Sequence, residues 1–146
     1  MPTLMEFEAI WDTGATKSVI TQKVIDGCGL AATGMAKVQG VHGGWVNRET
    51  YLVNIGLPNK VMMSGVIVTK GEMASTDVLI GMDVITMGDF SVTNCQGLTK
   101  FSFRAPSIEH IDYVEQANKL RAQASPSTRR APSKPRAERR REKFGR

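Results

Sequence analysis

Apolar and polar positions alternate through the first two thirds of the chain. Met5, Phe7 and Ala9 interleave with Glu6 and Glu8 and lead into Ile10-Trp11, so a strand is predicted there. The same period of two, in β-branched or aromatic runs, recurs in "YLVNIGL" (51–57), "KVMMSGVIVT" (60–69), "DVLIG" (77–81), "DFSVTN" (89–94) and "LTKFSF" (98–103). Gly43-Gly44, Leu57-Pro58-Asn59, Gly71 and Asn94-Cys95-Gln96-Gly97 separate these runs as turns. Strands at this spacing predict an all-β fold, a small barrel or sandwich.

Two short helices interrupt the alternation. "TQKVIDGCG" offers Thr21 as an N-cap and Gly29 as a stop, and "MDVITMG" is a turn or two ended by Gly88. The pattern changes after Phe103. Ser107 can cap a helix running to about Gln123, with Ile108, Ile111, Val114 and Leu120 as its apolar stripe. From 124 to 146 the chain is rich in Pro, Ser and Arg, with Phe144 as its one aromatic residue, and it is predicted to be a disordered basic tail. The domains expected are therefore 1–103, a folded body; 104–123, a C-terminal helix; and 124–146, the tail.

Charge divides the same way. Of the 146 residues, 1–103 carry 7 Lys and Arg against 9 Asp and Glu, while 104–146 carry 12 against 5, so the net charge of +5 belongs to the tail. Cys28 and Cys95 lie far apart with no ligands at metal spacing, which predicts free thiols, no metal and no cofactor. No apolar run reaches the length of a membrane span and the N-terminus lacks a basic region followed by an apolar stretch. The expectation is a cytoplasmic protein with no membrane partner.

The chemistry concentrates in "AIWDTGATKSVIT" (9–21), where an apolar run ends in Asp-Thr-Gly. A carboxylate at the mouth of a strand costs several kcal/mol to desolvate, so it is either paired or used. The plain alternative for the tripeptide alone is a strand ending in an Asx turn. Its company is more specific: small residues Ala15 and Ser18 follow, then a helix, a Gly-Gly hairpin, and "VLIGMDVI".

This combination, over residues 5–103, resembles the retropepsin-like aspartic proteases. The family's apolar-apolar-Asp-Thr-Gly-Ala element is matched by Ile10-Trp11-Asp12-Thr13-Gly14-Ala15, and its later apolar-apolar-Gly element by Leu79-Ile80-Gly81 with Met82 and Asp83. The resemblance implies a small closed acid-protease barrel, with Asp12 catalytic, Thr13 locking the two active-site loops across a dimer, and Gly14 leaving room for substrate. One Asp-Thr-Gly per chain then implies a homodimer acting on a peptide or protein with apolar residues around the scissile bond. Residues 38–53 would form the flap, with Gly43 and Gly44 at its tip, Trp45 either over the substrate or simply exposed on a plain hairpin, and His42 a solvated loop residue. Ala15, Ile80, Gly81 and Asp83 are expected to be structural near the site, Asp83 as a helix cap.

Two further expectations concern activity. Ala15 lacks a hydroxyl that would favour the charged carboxylate, so activity is expected nearer neutral pH than in relatives with Ser there. The family also has a strand before the catalytic one, for which the eleven residues ahead of Asp12 leave three alternatives: a displaced start, a substitute segment, or a fold without a competent dimer. The rival functions are a catalytically silent dimerisation domain and a nucleic-acid-binding protein. The latter would act through weak non-specific contacts of Arg129, Arg130, Lys134, Arg136 and Arg139–Arg141.

Overall fold

The computed structural model describes residues 4–39 and 43–124; His42 and all but the first residue of the basic tail lie outside them. Where β-branched and aromatic residues alternate, strands form: β1 (Ala9–Trp11), β2 (Val19–Ile20), β3 (Gly34–Gln39), β4 (Trp45–Gly56), β5 (Met62–Lys70), β6 (Val78–Ile80), β7 (Asp89–Cys95) and β8 (Leu98–Arg104). Between them lie α1 (Gln22–Cys28) and the single turn α2 (Met82–Ile85), and α3 (Tyr113–Gln123) follows β8. The chain divides into two compact units at Glu109/His110.

In the first unit, six strands form one mixed sheet in the order β1-β6-β2-β5-β4-β3, and β7 and β8 form a separate hairpin. The ladders leave β1 and β3 as edges among the described residues, so they establish a mostly β fold without closing a barrel. One face of the sheet, with Ile20, Tyr51, Val68 and Ile80, packs on Val24 and Ile25 of α1 and Val84 and Ile85 of α2; all are buried. The register carries a different row across the other face: Ile10, Leu79, Val19, Thr69, Thr50 and Gly34.

Several boundaries differ from the sequence reading. The first strand begins at Ala9 and not at Met5, because its partner β6 begins only at Val78; Phe7 packs against the core instead. Thr21 is the N-cap of α1, but its side chain makes no capping bond and its hydroxyl is buried without a partner. Gly29 ends that helix in the left-handed conformation (φ 60°), as a C-terminal glycine does.

Ser107 does not cap the C-terminal helix. Its hydroxyl donates to Asp89, at the start of β7, and the helix begins six residues later with Asp112 accepting from the N–H groups of Val114 and Glu115. Ile108 and Ile111 therefore lie outside α3, which buries none of its residues. The β7–β8 hairpin closes through Gln96 (φ 52°) and Gly97 (φ 78°), the two positive-φ positions of a type I′ turn.

Candidate active site

Asp12 stands at the junction of two segments far apart in sequence. β1 runs parallel to β6 with Trp11 opposite Ile80, and the Asp12 N–H extends that pairing by donating to the Ile80 carbonyl at 2.9 Å. The chain then turns sharply: Asp12 Oδ1 accepts from the Gly14 N–H at 2.8 Å, an Asx-type turn that leaves the carboxylate half-exposed. A Cβ at Gly14 would lie 3.2 Å from that same oxygen. Thr13 and Gly14 are exposed and Ala15 is half-buried.

The Gly81 turn fits beneath this loop. A Cβ at Gly81 would sit 2.7 Å from the Lys17 carbonyl group and 3.0 Å from the Ala15 oxygen, so the position admits glycine for steric reasons and not for its backbone angles (φ −97°). The Met82 N–H donates to the Ala15 carbonyl at 2.8 Å. Ser18, fully buried, joins both sides: its hydroxyl accepts from the Gly81 N–H at 3.0 Å and donates to Asp83 Oδ1 at 2.7 Å, and its N–H donates to Asp83 Oδ2 at 3.1 Å. Asp83 also accepts from the Val84 N–H at 3.0 Å, inside the first turn of α2, whose N-cap is Gly81 with no side-chain capping bond. Lys17 approaches the same carboxylate at 4.0 Å with its side chain largely in solvent.

The sequence reading brought Asp12, Ile80, Gly81 and Asp83 to one place but gave Ser18 no part beyond its size. A small hydroxyl six positions after an Asp, with a second Asp just past a glycine, is the signal that could have found it. Asp77 stands immediately before β6. It anchors the approach to β6: its N–H donates to the Glu8 carbonyl at 2.8 Å, and its carboxylate accepts from Lys23 Nζ at 2.9 Å. The Lys23 hydrogen bond holds the Asp77 carboxyl below its ordinary range against the opposing effect of desolvation.

Gly43, Gly44 and Trp45 fall on the β3–β4 hairpin, away from the Asp12 loop in sequence. Gly43 has φ 81°, which only glycine adopts without strain, and Trp45 is 61% exposed with Lys37 Nζ 5.6 Å from its ring centroid. An open cavity of about 630 Å³, lined in part by Thr21, Lys23, Met73 and Asp77, does not include Asp12. Among the described residues no helix is long and apolar enough to cross a membrane.

The family comparison decides what this arrangement belongs to. The chain matches, over residues 5–87, the family described as "gag-polyprotein putative aspartyl protease". This protein is a member of that retropepsin-like family. The match spans β1 to α2, including the Asp12 loop, the Gly81 turn and Asp83, and the mostly β architecture with few helices agrees with it. It stops before β7. No curated protein and no solved structure matches the chain.

Proposed function

We propose that this family member is an aspartic endopeptidase in which two chains associate about a two-fold axis and place their Asp12 carboxylates side by side. Two carboxylates at hydrogen-bond distance share one proton. The ionised one takes a proton from a water that attacks the peptide carbonyl, while the protonated one donates to the carbonyl oxygen. The proton passes to the amine as the tetrahedral intermediate breaks down. The Thr13–Ala15 stretch, exposed at Thr13 and Gly14, leaves the loop open to the partner, with Thr13 available to lock one loop to the other.

The single observation that supports this most is the bracing of the Asp12 loop. Its carboxylate faces solvent while its backbone is pinned to Ile80, Gly81, Met82 and Asp83, which is the rigid support a reacting group needs. Ile10 and Leu79 sit opposite each other beside it, with Val19 next in the row, so apolar side chains flank the reacting centre. The β3–β4 hairpin would close over the peptide, with Gly43 and Gly44 as its mobile tip.

The test is cleavage of a library of apolar peptides by the full chain. Cleavage that disappears in Asp12→Asn and with a statine-type inhibitor supports the endopeptidase. A dimeric wild type that cuts nothing assigns the chain to silent protease-like dimerisation domains instead.

A further inference from the structure

Between Asp12 and Lys23 the chain carries one charged side chain, Lys17. It belongs to the Asp12 loop, and Gly81 fixes its place there. On one side of that glycine the Asp12 N–H bonds the Ile80 carbonyl; on the other, a Cβ at Gly81 would lie 2.7 Å from the Lys17 carbonyl carbon and oxygen. Asp12 and Lys17 therefore stand two strand widths apart, roughly 10 Å. Val19, two residues further on, joins Ile10 and Leu79 in the apolar row, whereas Ser18 and Ile20 turn the other way and are buried. The Lys17 side chain is 59% exposed.

The acidic neighbour of Lys17 is already satisfied by others. Asp83 Oδ1 accepts from the Ser18 hydroxyl and the Val84 N–H, and Oδ2 from the Ser18 N–H. Lys17 Nζ stands 4.0 Å from Oδ2, too far for a hydrogen bond, and a mostly solvated pair of this kind holds little energy. Lys23 is different, since its ammonium reaches Asp77 at 2.9 Å. The N–H donors of Lys17 have no acceptor among the described residues.

From this placement we infer that Lys17 selects the substrate, binding the carboxylate of an aspartate or glutamate side chain two or three residues from the bond that is cut. The inference rests on the peptidase reading above and adds a substrate class to it. An extended peptide rises about 3.4 Å per residue, so the distance from Asp12 to Lys17 corresponds to about three residues, and the reach of the lysine stem brings in the one before. The apolar row takes the side chains next to the bond. A carboxylate beyond them meets Lys17, which offsets its repulsion from the ionised member of the Asp12 pair. Because a two-fold axis supplies a Lys17 from each chain, the preference is the same on both sides of the bond.

The test uses the full chain and paired peptides that differ only by Glu or Gln at each of the three positions either side of an apolar bond. Glu is expected to raise kcat/KM by about 10-fold over Gln at the second or third position, on both sides, and the ratio should shrink as salt is added. Lys17→Met should bring the ratio to one, and Lys17→Glu should favour peptides with Lys there. Lys100→Met, on β8, removes the same charge outside the loop and should leave the ratio unchanged. Binding is read separately, by fluorescence anisotropy of labelled peptides on Asp12→Asn. Glu peptides should bind it about 10-fold more tightly than Gln peptides, and adding Lys17→Met should abolish the difference.

A ratio of one in the wild type, with Asp12-dependent cleavage, overturns the inference and leaves the peptidase reading standing. So does a ratio that Lys17→Met does not alter, even where cleavage as a whole falls, because Lys17 then serves the loop and not the substrate. Binding that prefers Glu through Lys17, without cleavage of any peptide, supports the site and removes the peptidase. Neither binding nor cleavage overturns both.

Discussion

Ser18 and Asp83 bind each other at two points across 65 residues of chain, the hydroxyl of Ser18 at 2.7 Å and its N–H at 3.1 Å from the two carboxylate oxygens. Ser18 is fully buried and Asp83 half-buried. Their effect is on the loop between them, because Ser18 lies six residues after Asp12 and Asp83 two residues after Gly81.

Replacing Ser18 with Ala leaves the buried Gly81 N–H without its partner and takes from Asp83 Oδ1 one of its two donors, the Val84 N–H remaining. The expected cost is about 1–3 kcal/mol, read from urea unfolding of the variant. Because the Asp12 loop loses its brace, peptide cleavage should fall by more than the change in folded fraction accounts for. Equal losses in both would mean the bond serves stability alone.

Gly81→Ala tests the close approach of the two loops. The added methyl would meet the Lys17 carbonyl at 2.7 Å, so backbone must move, at an expected cost of about 1–3 kcal/mol. A thermal melt within error of wild type would show that the loops are looser than their hydrogen bonds suggest.

Ala15→Ser restores the hydroxyl discussed for this loop. A hydrogen bond from it favours the charged carboxylate, so the pH–rate profile should move toward acid relative to wild type. A shift toward alkali, or none, would remove Ala15 as a determinant of the working pH.

Stability in acid follows from Asp77 and Asp89. Both carboxyls titrate lower in the folded chain than in the unfolded one: Asp77 through its hydrogen bond from Lys23, and Asp89 through Ser107 first, then the Ile108 N–H and Arg104. The unfolded chain therefore binds more protons as pH drops, and the stabilisation, complete above about pH 4, is lost on descending through the folded values. The urea midpoint should fall steadily below about pH 4, and Asp77→Asn should lower the midpoint at neutral pH while flattening that fall. A midpoint independent of pH in this range would contradict the assignment.

What the sequence disclosed, and what it hid, depended on range. Strand alternation located β5, β7 and β8 closely, since period-two patterns are local, and Gly29 announced the end of α1 for the same reason. Gly81 was legible because it sits in a motif with Leu79 and Ile80. The Ser18–Asp83 link was not, since nothing local distinguishes a buried serine that bridges two loops from one that is merely small. The length of β1 also escaped, because a strand ends where its partner does, and β6 offers only three residues. Ser107 reads as a cap by type, but Asp89 takes its hydroxyl and Asp112 caps the helix instead.

The pairing of β1 with β6 has a consequence in time. Ribosomes deliver residue 12 long before residue 80, so a nascent chain has no partner for its first strand and no floor under its acidic loop. Only when the segment through Asp83 has emerged can that loop take its shape. Whatever that loop does is thereby withheld until synthesis has passed Asp83.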